Sequence, residues 1–360
     1  MPDKKRQHYV PRMILRNFSE NGKTVGMYSF SSSVLKEKVG FKEQCYENYF
    51  YGKNGKLEDA LSEIEGETAP LIKSLLDDSK KRITDEERYL LFRFLVFQDM
   101  RTKRALSDHE DVLDKMGKEI LSKDLRAQGI DFDRFKITYS AGPAYLMKMA
   151  VESMHTIFDL EVRILDNETS VDFIVSDHPV VLLNQWAMFH PKFKDYETSF
   201  TGYLLKGLVF LLPLSPRRCL IVYDDNTYKC VKKGGFRQKV EAIADINVLN
   251  QLQSISSEDC IYFKDKYKLK GEFGKFLQAR NRHYENSRPS LRKHEIKKEE
   301  DGRLSQLISN SKGDARLNKK LTFLKIIDRE KFENYNLAMI PPRSWEAVRE
   351  HERLRKMREE

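Results

Sequence analysis

Disulfide chemistry has little to work with in this chain. Its four cysteines, Cys45, Cys219, Cys230 and Cys260, are scattered along 360 residues with no C-x-x-C pair and no histidine at zinc-finger spacing. A disulfide framework is therefore excluded as the staple of the fold. Long apolar runs are also missing: the N-terminal string M-P-D-K-K-R-Q-H-Y-V lacks the 7–15-residue apolar stretch of a signal peptide, and no run of about 18 apolar residues occurs anywhere. No membrane partner is expected, and a reducing cytoplasm is the expected compartment. There is no P-loop, G-x-G-x-x-G, H-E-x-x-H or G-x-S-x-G string, which argues against P-loop nucleotide hydrolysis. No internal repeat is present.

What the chain does hold is 40% hydrophobic and 33% charged residues, enough to build a sizeable core. Single cores stop growing near 250–300 residues, so this length implies roughly two domains, or one large domain with appendages. Lys and Arg number 64 against 55 acidic residues, a net of +9. That surplus suits a polyanionic partner such as RNA or DNA, and equally a basic surface kept for solubility. It is unevenly spread: residues 286–360 carry 19 basic and 13 acidic side chains, so +6 of the +9 lies there.

Residues 1–55 read as irregular, with strand-like runs at 25–30 and 49–51 and a turn at Asn54-Gly55. Leu57, Leu61, Ile64, Leu71, Ile72 and Leu75 fall at helical spacing and predict one or two amphipathic helices interrupted near Pro70. Thr84-Asp85-Glu86-Glu87 supplies a cap and first-turn acids for a second helix, whose stretch 89–100 is apolar enough to be central. Helical patterns continue over 105–160, with breaks around 129–135 and at Ala141-Gly142-Pro143. The period then changes. Short β-rich runs at 160–165, 172–175, 180–183, 208–212 and 220–223 predict a small, mostly antiparallel sheet, followed by helix over 238–255 and a last strand at 259–263. The fold class is α+β: a core over 1–265, helical over 56–160 and sheet-rich over 160–263, then a charged linker at 266–302 and a basic helical appendage at 303–360.

Three strings carry candidate chemistry. In Gln7-His8-Tyr9-Val10-Pro11-Arg12 an imidazole and a guanidinium stand together ahead of a short helix, which suits proton transfer beside an anion; the alternative is that the string docks the N-terminus. Asp172 to Val175 deliver Ser176, Asp177 and His178 to a strand end where side chains can converge on a cleft; Ser and Asp before Pro179 are also ordinary turn formers. On the apolar helix, Arg93, Gln98 and Arg101 make a polar stripe that serves either an internal hydrogen-bond network or an anion pocket. Arg104 and His109 have the R-x4-H spacing of helical ribonucleases of the HEPN type, but roughly two matches of that kind are expected by chance here.

Taken together, Q-H-Y-V-P-R, Ile64-Glu65, the F-x-x-x-Q-x-x-R-T of Phe94 to Thr102, F-I-V-S-D-H-P, P-L-S-P at 213–216 and I-N-V-L-N at 246–250 resemble a large, mainly bacterial domain-of-unknown-function family, number 4238, over residues 6–265. The family name supplies no activity. The resemblance does imply that the polar residues at the matched positions, His8, Arg12, Glu65, Gln98, Arg101, Ser176, Asp177, Asn247 and Asn250, converge on one pocket; His178 sits at the variable position of S-D-x-P and is left out of that set. The expected function is a nucleic-acid-directed enzyme, a nuclease or other hydrolase cleaving RNA or DNA phosphodiesters. In that reading His8 is the acid or base, Arg12 and Arg101 hold phosphate, Asp177 and Glu65 orient the base or bind a divalent metal such as Mg²⁺, and Gln98, Ser176, Asn247 and Asn250 bind substrate. The alternative is a non-enzymatic module that binds an anion or a protein partner.

Overall fold

The computed structural model describes residues 5–127, 131, 134–193, 199–230, 235–269, 271–298, 304–311, 313–327 and 340–359. The predicted break at 129–135 falls mostly outside them. The chain is an α+β fold. β1 (Arg6–His8) pairs antiparallel with β4 (Tyr46–Asn48), and between them lie α1 (Arg12–Arg16), β2 (Thr24–Ser29) and β3 (Val34–Gly40). The region read as irregular thus contains four strands. Run 49–51 is a turn, and the pairing residues lie just before it.

α2 (Lys56–Leu75) runs unbroken through Pro70, contrary to the predicted interruption. Proline removes one helical N–H and crowds the carbonyl four residues earlier. That residue is Gly66, which is solvent-exposed and has no Cβ, so water can take its carbonyl. Burial of Leu61, Leu71, Ile72 and Leu75 outweighs the defect. α3 (Asp85–Met100) starts on a full capping box: the Thr84 hydroxyl accepts the Glu87 N–H at 3.2 Å, and the Glu87 carboxylate accepts the Thr84 N–H at 2.9 Å. Its residues from Leu91 to Asp99, except Arg93, are buried. α4 (Lys103–Ala127) and α5 (Gly142–Ser153) complete the helical layer, with Pro143 in the first turn of α5.

Two sheets follow, where one was expected. β5 (Glu161–Asn167), β7 (Val181–Leu183), β8 (Val209–Ser215), β9 (Arg218–Tyr223) and β11 (Arg237–Val240) form a five-stranded sheet in the order β11-β5-β9-β8-β7. Its one parallel pair is β11 with β5; residues 237–240 supply it, of which 238–240 were expected to start a helix. β6 (Val175–Ser176) and β12 (Cys260–Phe263) join β2 and β3 in a second sheet, ordered β3-β2-β12-β6 and wholly antiparallel. Gly26 faces Phe263 across β2 and β12, and a Cβ there would come within 2.2 Å of the ring, so the strand needs glycine at that point. The charged Lys36, Glu37 and Lys38 of the exposed strand β3 guard the outer edge.

After the short α6 (Gln185–Met188), α7 (Ile243–Ser256) is buried from Asp245 to its end, which explains why a helix rich in Asn, Gln and Ser needs internal partners. The residues read as a linker complete its packing. α8 (Phe273–His283) lies on α7, and its Arg280 guanidinium donates to the Ser254 carbonyl at 3.1 Å and to the Glu258 carbonyl at 2.7 Å, closing the negative end of that helix. Beyond it, β13 (Ser290–Lys298) and β14 (Leu304–Ser311) form a hairpin, and β15 (Leu324–Ile326) pairs with β10 (Tyr228–Cys230), burying Leu321, Phe323 and Leu324. The predicted terminal helix is present as α9 (Trp345–Glu359). No described helix is long and apolar enough to cross a membrane.

Candidate functional site

The N-terminal string is held by its own side chains. Gln7 accepts the Tyr51 N–H at 2.6 Å and donates to the Gly52 carbonyl at 3.0 Å. From α3, Gln98 donates to the Tyr9 carbonyl at 3.0 Å, and Arg101 at the helix end donates to the Tyr9 and His8 carbonyls at 3.3 and 3.1 Å. Arg101 also meets the Glu65 carboxylate at 2.5 Å, with its own side chain 2% exposed. Burial works to lower its pKa, but Tyr51 and Glu65 carry it above the usual arginine value. Gln98 and Arg101 therefore anchor the buried carbonyls of His8 and Tyr9, with the Tyr51 hydroxyl 3.4 Å from the former.

His8 and Arg12 stand differently. Burial, the largest influence, together with the neighbouring Arg12 charge, holds the His8 imidazole below its ordinary value despite the opposing pull of the Lys42 carbonyl, so it is neutral at pH 7. Its Nε2 lies 3.1 Å from that carbonyl, which can only accept; Nε2 thus carries the hydrogen and Nδ1 the lone pair. Arg12 is exposed, and His8, Arg12 and Glu65 line one open cleft of about 330 Å³ with Glu58 and Ser62.

The second string lies against α7. The Asp177 carboxylate accepts three backbone N–H groups, from Glu258, Asp259 and Cys260, each at 2.8 Å. Burial still pushes its pKa up to about 6, against the downward pull of those bonds. Asn250 accepts the Ile174 N–H at 3.0 Å and donates to the Asp172 carbonyl at 2.9 Å, while Ser176 is within 2.8 Å of Gln253 Oε1. Asn247 is buried, and its Oδ1 has no partner among the described residues. The nine residues thus fall into two groups: His8, Arg12, Glu65, Gln98 and Arg101 around β1, and Ser176, Asp177, Asn247 and Asn250 around α7.

A third cluster joins His178, set aside in the sequence as the variable residue of S-D-x-P, and Thr102 to Asp99 and Tyr203, which no motif marks. His178 Nδ1 lies 2.6 Å from the Thr102 hydroxyl and Nε2 lies 3.6 Å from Asp99 Oδ1, while the Tyr203 hydroxyl donates to Asp99 Oδ2 at 2.6 Å. Thr102 also accepts the Ala105 N–H at 3.3 Å as a cap for α4. Burial, then the Asp99 charge, holds the Tyr203 phenol well above its usual pKa. Asp99, His178 and Tyr203 line a cavity of about 320 Å³ walled by Met100, Val112, Leu146 and Met149. A smaller cavity of about 40 Å³ shares His178, Asp108 and Thr201 with it and is lined by Arg104. Asp99 and His178 are sequence neighbours of the motif residues Gln98 and Asp177. On a helix adjacent residues point about 100° apart, so Gln98 reaches Tyr9 while Asp99 reaches the cavity. Arg104 and His109 are about 140° apart on α4, and each lines a different cavity. Among the described residues, no group of three or more His, Cys, Asp or Glu side chains is placed to hold a metal ion.

An α+β core with a buried carboxylate, imidazole and phenol beside an apolar cavity is the class that fold and site define. Residues 6–267 match the model of the family described as a protein of unknown function, DUF4238, and the chain belongs to that family. No curated protein and no solved structure matches it.

Proposed function

We propose that this chain is a hydrolase acting on a small organic molecule, with Asp99 as the base that activates water. The observation that carries this reading is the polar chain from Thr102 through His178 to Asp99 and Tyr203, set against an apolar cavity of about 320 Å³, a volume in the range of small-molecule sites. Oδ1 is enclosed and stands 3.6 Å from Nε2, longer than a hydrogen bond, and in this reading the water reaches the carboxylate from the cavity that Asp99 lines. Asp99 takes the proton of that water as its oxygen attacks the substrate, and the imidazole or the phenol delivers a proton to the leaving group. A positioned acid or base of this kind contributes about 10²–10⁴-fold to rate. The test is turnover of a panel of p-nitrophenyl acyl esters and acyl anilides. The expected result is hydrolysis that falls at least about 100-fold in Asp99→Asn and is unchanged in His8→Ala. Equal rates in wild type and Asp99→Asn would sink the reading.

A second reading, cleavage of RNA or DNA, is favoured by the cleft in which a neutral His8, an exposed Arg12 and Glu65 come together. There His8 is the acid or base, Arg12 binds phosphate, and Glu65 orients the imidazole or recruits Mg²⁺. Labelled RNA or DNA, with and without Mg²⁺, separates the two: cleavage that survives Asp99→Asn, falls in His8→Ala and weakens as salt rises selects the cleft.

A further inference from the structure

Resting on the hydrolase reading, we infer that the substrate is a neutral acyl compound, an ester or amide, whose carbonyl oxygen is received by Arg104 in the small cavity while its acyl chain fills the larger one. Arg104 is nearly enclosed, its side chain 4% exposed. Its Nε meets both Asp108 oxygens at 3.0 and 2.9 Å, its Nη2 donates to the Ser287 carbonyl at 2.6 Å and meets the Ser287 hydroxyl at 3.0 Å, and its face lies 4.9 Å from the Tyr284 ring. Nη1 alone has no hydrogen-bonding partner among the described residues. A buried guanidinium N–H left over in this way costs free energy until an acceptor meets it. The cavity that Arg104 lines has room for a group little larger than a water molecule. The two cavities share His178, Asp108 and Thr201 in their walls, so a ligand that reaches both passes these three side chains.

The acceptor is neutral on charge grounds. Asp108 pairs with both Arg104 and Arg288, and Asp314 pairs with Arg316, so a carboxylate or phosphate would bring one more negative charge to groups that are already matched, beside Asp99 in the larger cavity. A carbonyl oxygen needs only the donor, and it becomes a far better acceptor as negative charge develops on it. Attack by the Asp99-activated water forms the new C–O bond and moves the carbonyl electron pair onto the oxygen facing Nη1. Collapse then breaks the bond to the alcohol or amine, which leaves with the proton returned by the site, giving the free acid.

The test is binding of hexanamide, hexanoate and hexylamine, followed by titration calorimetry and ligand-observed NMR on the full chain. Hexanamide should bind at least tenfold more tightly than either charged analogue. Arg104→Gln should erase that preference, and Met149→Trp, which fills the apolar cavity from a half-exposed position, should weaken hexanamide at least tenfold even if Arg104→Gln fails to fold. Equal or tighter binding of hexanoate or hexylamine, no hexanamide binding, or a Met149→Trp variant that binds hexanamide as well as wild type would overturn the proposal. Asp99→Asn separates the two ideas: hexanamide binding within twofold of wild type with unreduced ester turnover refutes the base while leaving the acyl site standing.

Discussion

Asp177 and Cys260 exchange two hydrogen bonds: the Asp177 N–H donates to the Cys260 carbonyl at 3.0 Å, and the Asp177 carboxylate accepts the Cys260 N–H at 2.8 Å. With Glu258 and Asp259 donating as well, the carboxylate ties the S-D-H-P segment to the turn that follows α7. Asp177→Asn should cost about 1–3 kcal/mol, because its amide turns N–H donors toward backbone N–H groups. The pH dependence has a definite sign. With a native pKa of about 6, above the ordinary 3.8, the fold holds this proton more tightly than the unfolded chain does. Its stabilising contribution is complete below about pH 3.8 and is lost as pH rises through about 6. Urea unfolding should therefore show wild type gaining about 1 kcal/mol over Asp177→Asn between pH 7.5 and pH 5. A difference that stays flat with pH would remove Asp177 from this role.

Arg101 and Glu65 make the second prediction. Arg101→Met leaves the Tyr9 carbonyl to Gln98 alone and the His8 carbonyl to the more distant Tyr51 hydroxyl, and should destabilise by about 2–4 kcal/mol, whereas Glu65→Gln keeps an oxygen that can accept from Arg101 and should cost only about 1–2 kcal/mol. Limited proteolysis should then cut Arg101→Met, but not wild type, near the N-terminus. An Arg101→Met protein as stable as wild type would mean that the guanidinium is kept for a ligand instead.

These two residues show what was legible in the sequence. The motifs were visible as unusual polar strings, but a string looks the same whether its side chains face a cleft or a buried carbonyl, and that depends on partners 36 to 93 residues away. The Thr84 cap and the apolar strands around 208–223 could be read because their signals are local. The parallel partner of β5, the pairing of β10 with β15 and the seating of α8 on α7 could not, since each joins distant segments by backbone geometry or by a single buried arginine. His178 is visible in the string but set aside at the variable position of S-D-x-P: its partners Thr102 and Asp99 come from another element, and only the folded chain shows that they meet.

Gly26 and Phe263 carry the third prediction. Gly26→Ala places a methyl group against the ring and should destabilise by about 1–3 kcal/mol. Phe263→Leu makes space, so Gly26→Ala should cost less in that background, with a coupling of about 1 kcal/mol in a double-mutant cycle read by thermal or urea unfolding. Additive effects would show that the ring is not what excludes the side chain.

The last prediction concerns Arg343, which lies beyond the family match yet is nearly enclosed. It donates to both Asp159 oxygens at 2.7 and 2.9 Å, to the Thr156 carbonyl at 2.7 Å, and to the carbonyls of Tyr203 and Leu205 at 3.1 and 3.2 Å. Around it, backbone bonds from Lys206 to Pro341 and from Arg343 to Leu204 lay the C-terminal segment along residues 204–206. The side chain thus fixes the backbone of Tyr203, whose hydroxyl holds Asp99. Arg343→Met should destabilise by about 2–4 kcal/mol and speed amide exchange at 202–206 before the central strands β8 and β9 respond. If the same exchange rates persist at 202–206, the C-terminal segment covers the Tyr203 loop without holding it, and the site owes its geometry to the family core alone.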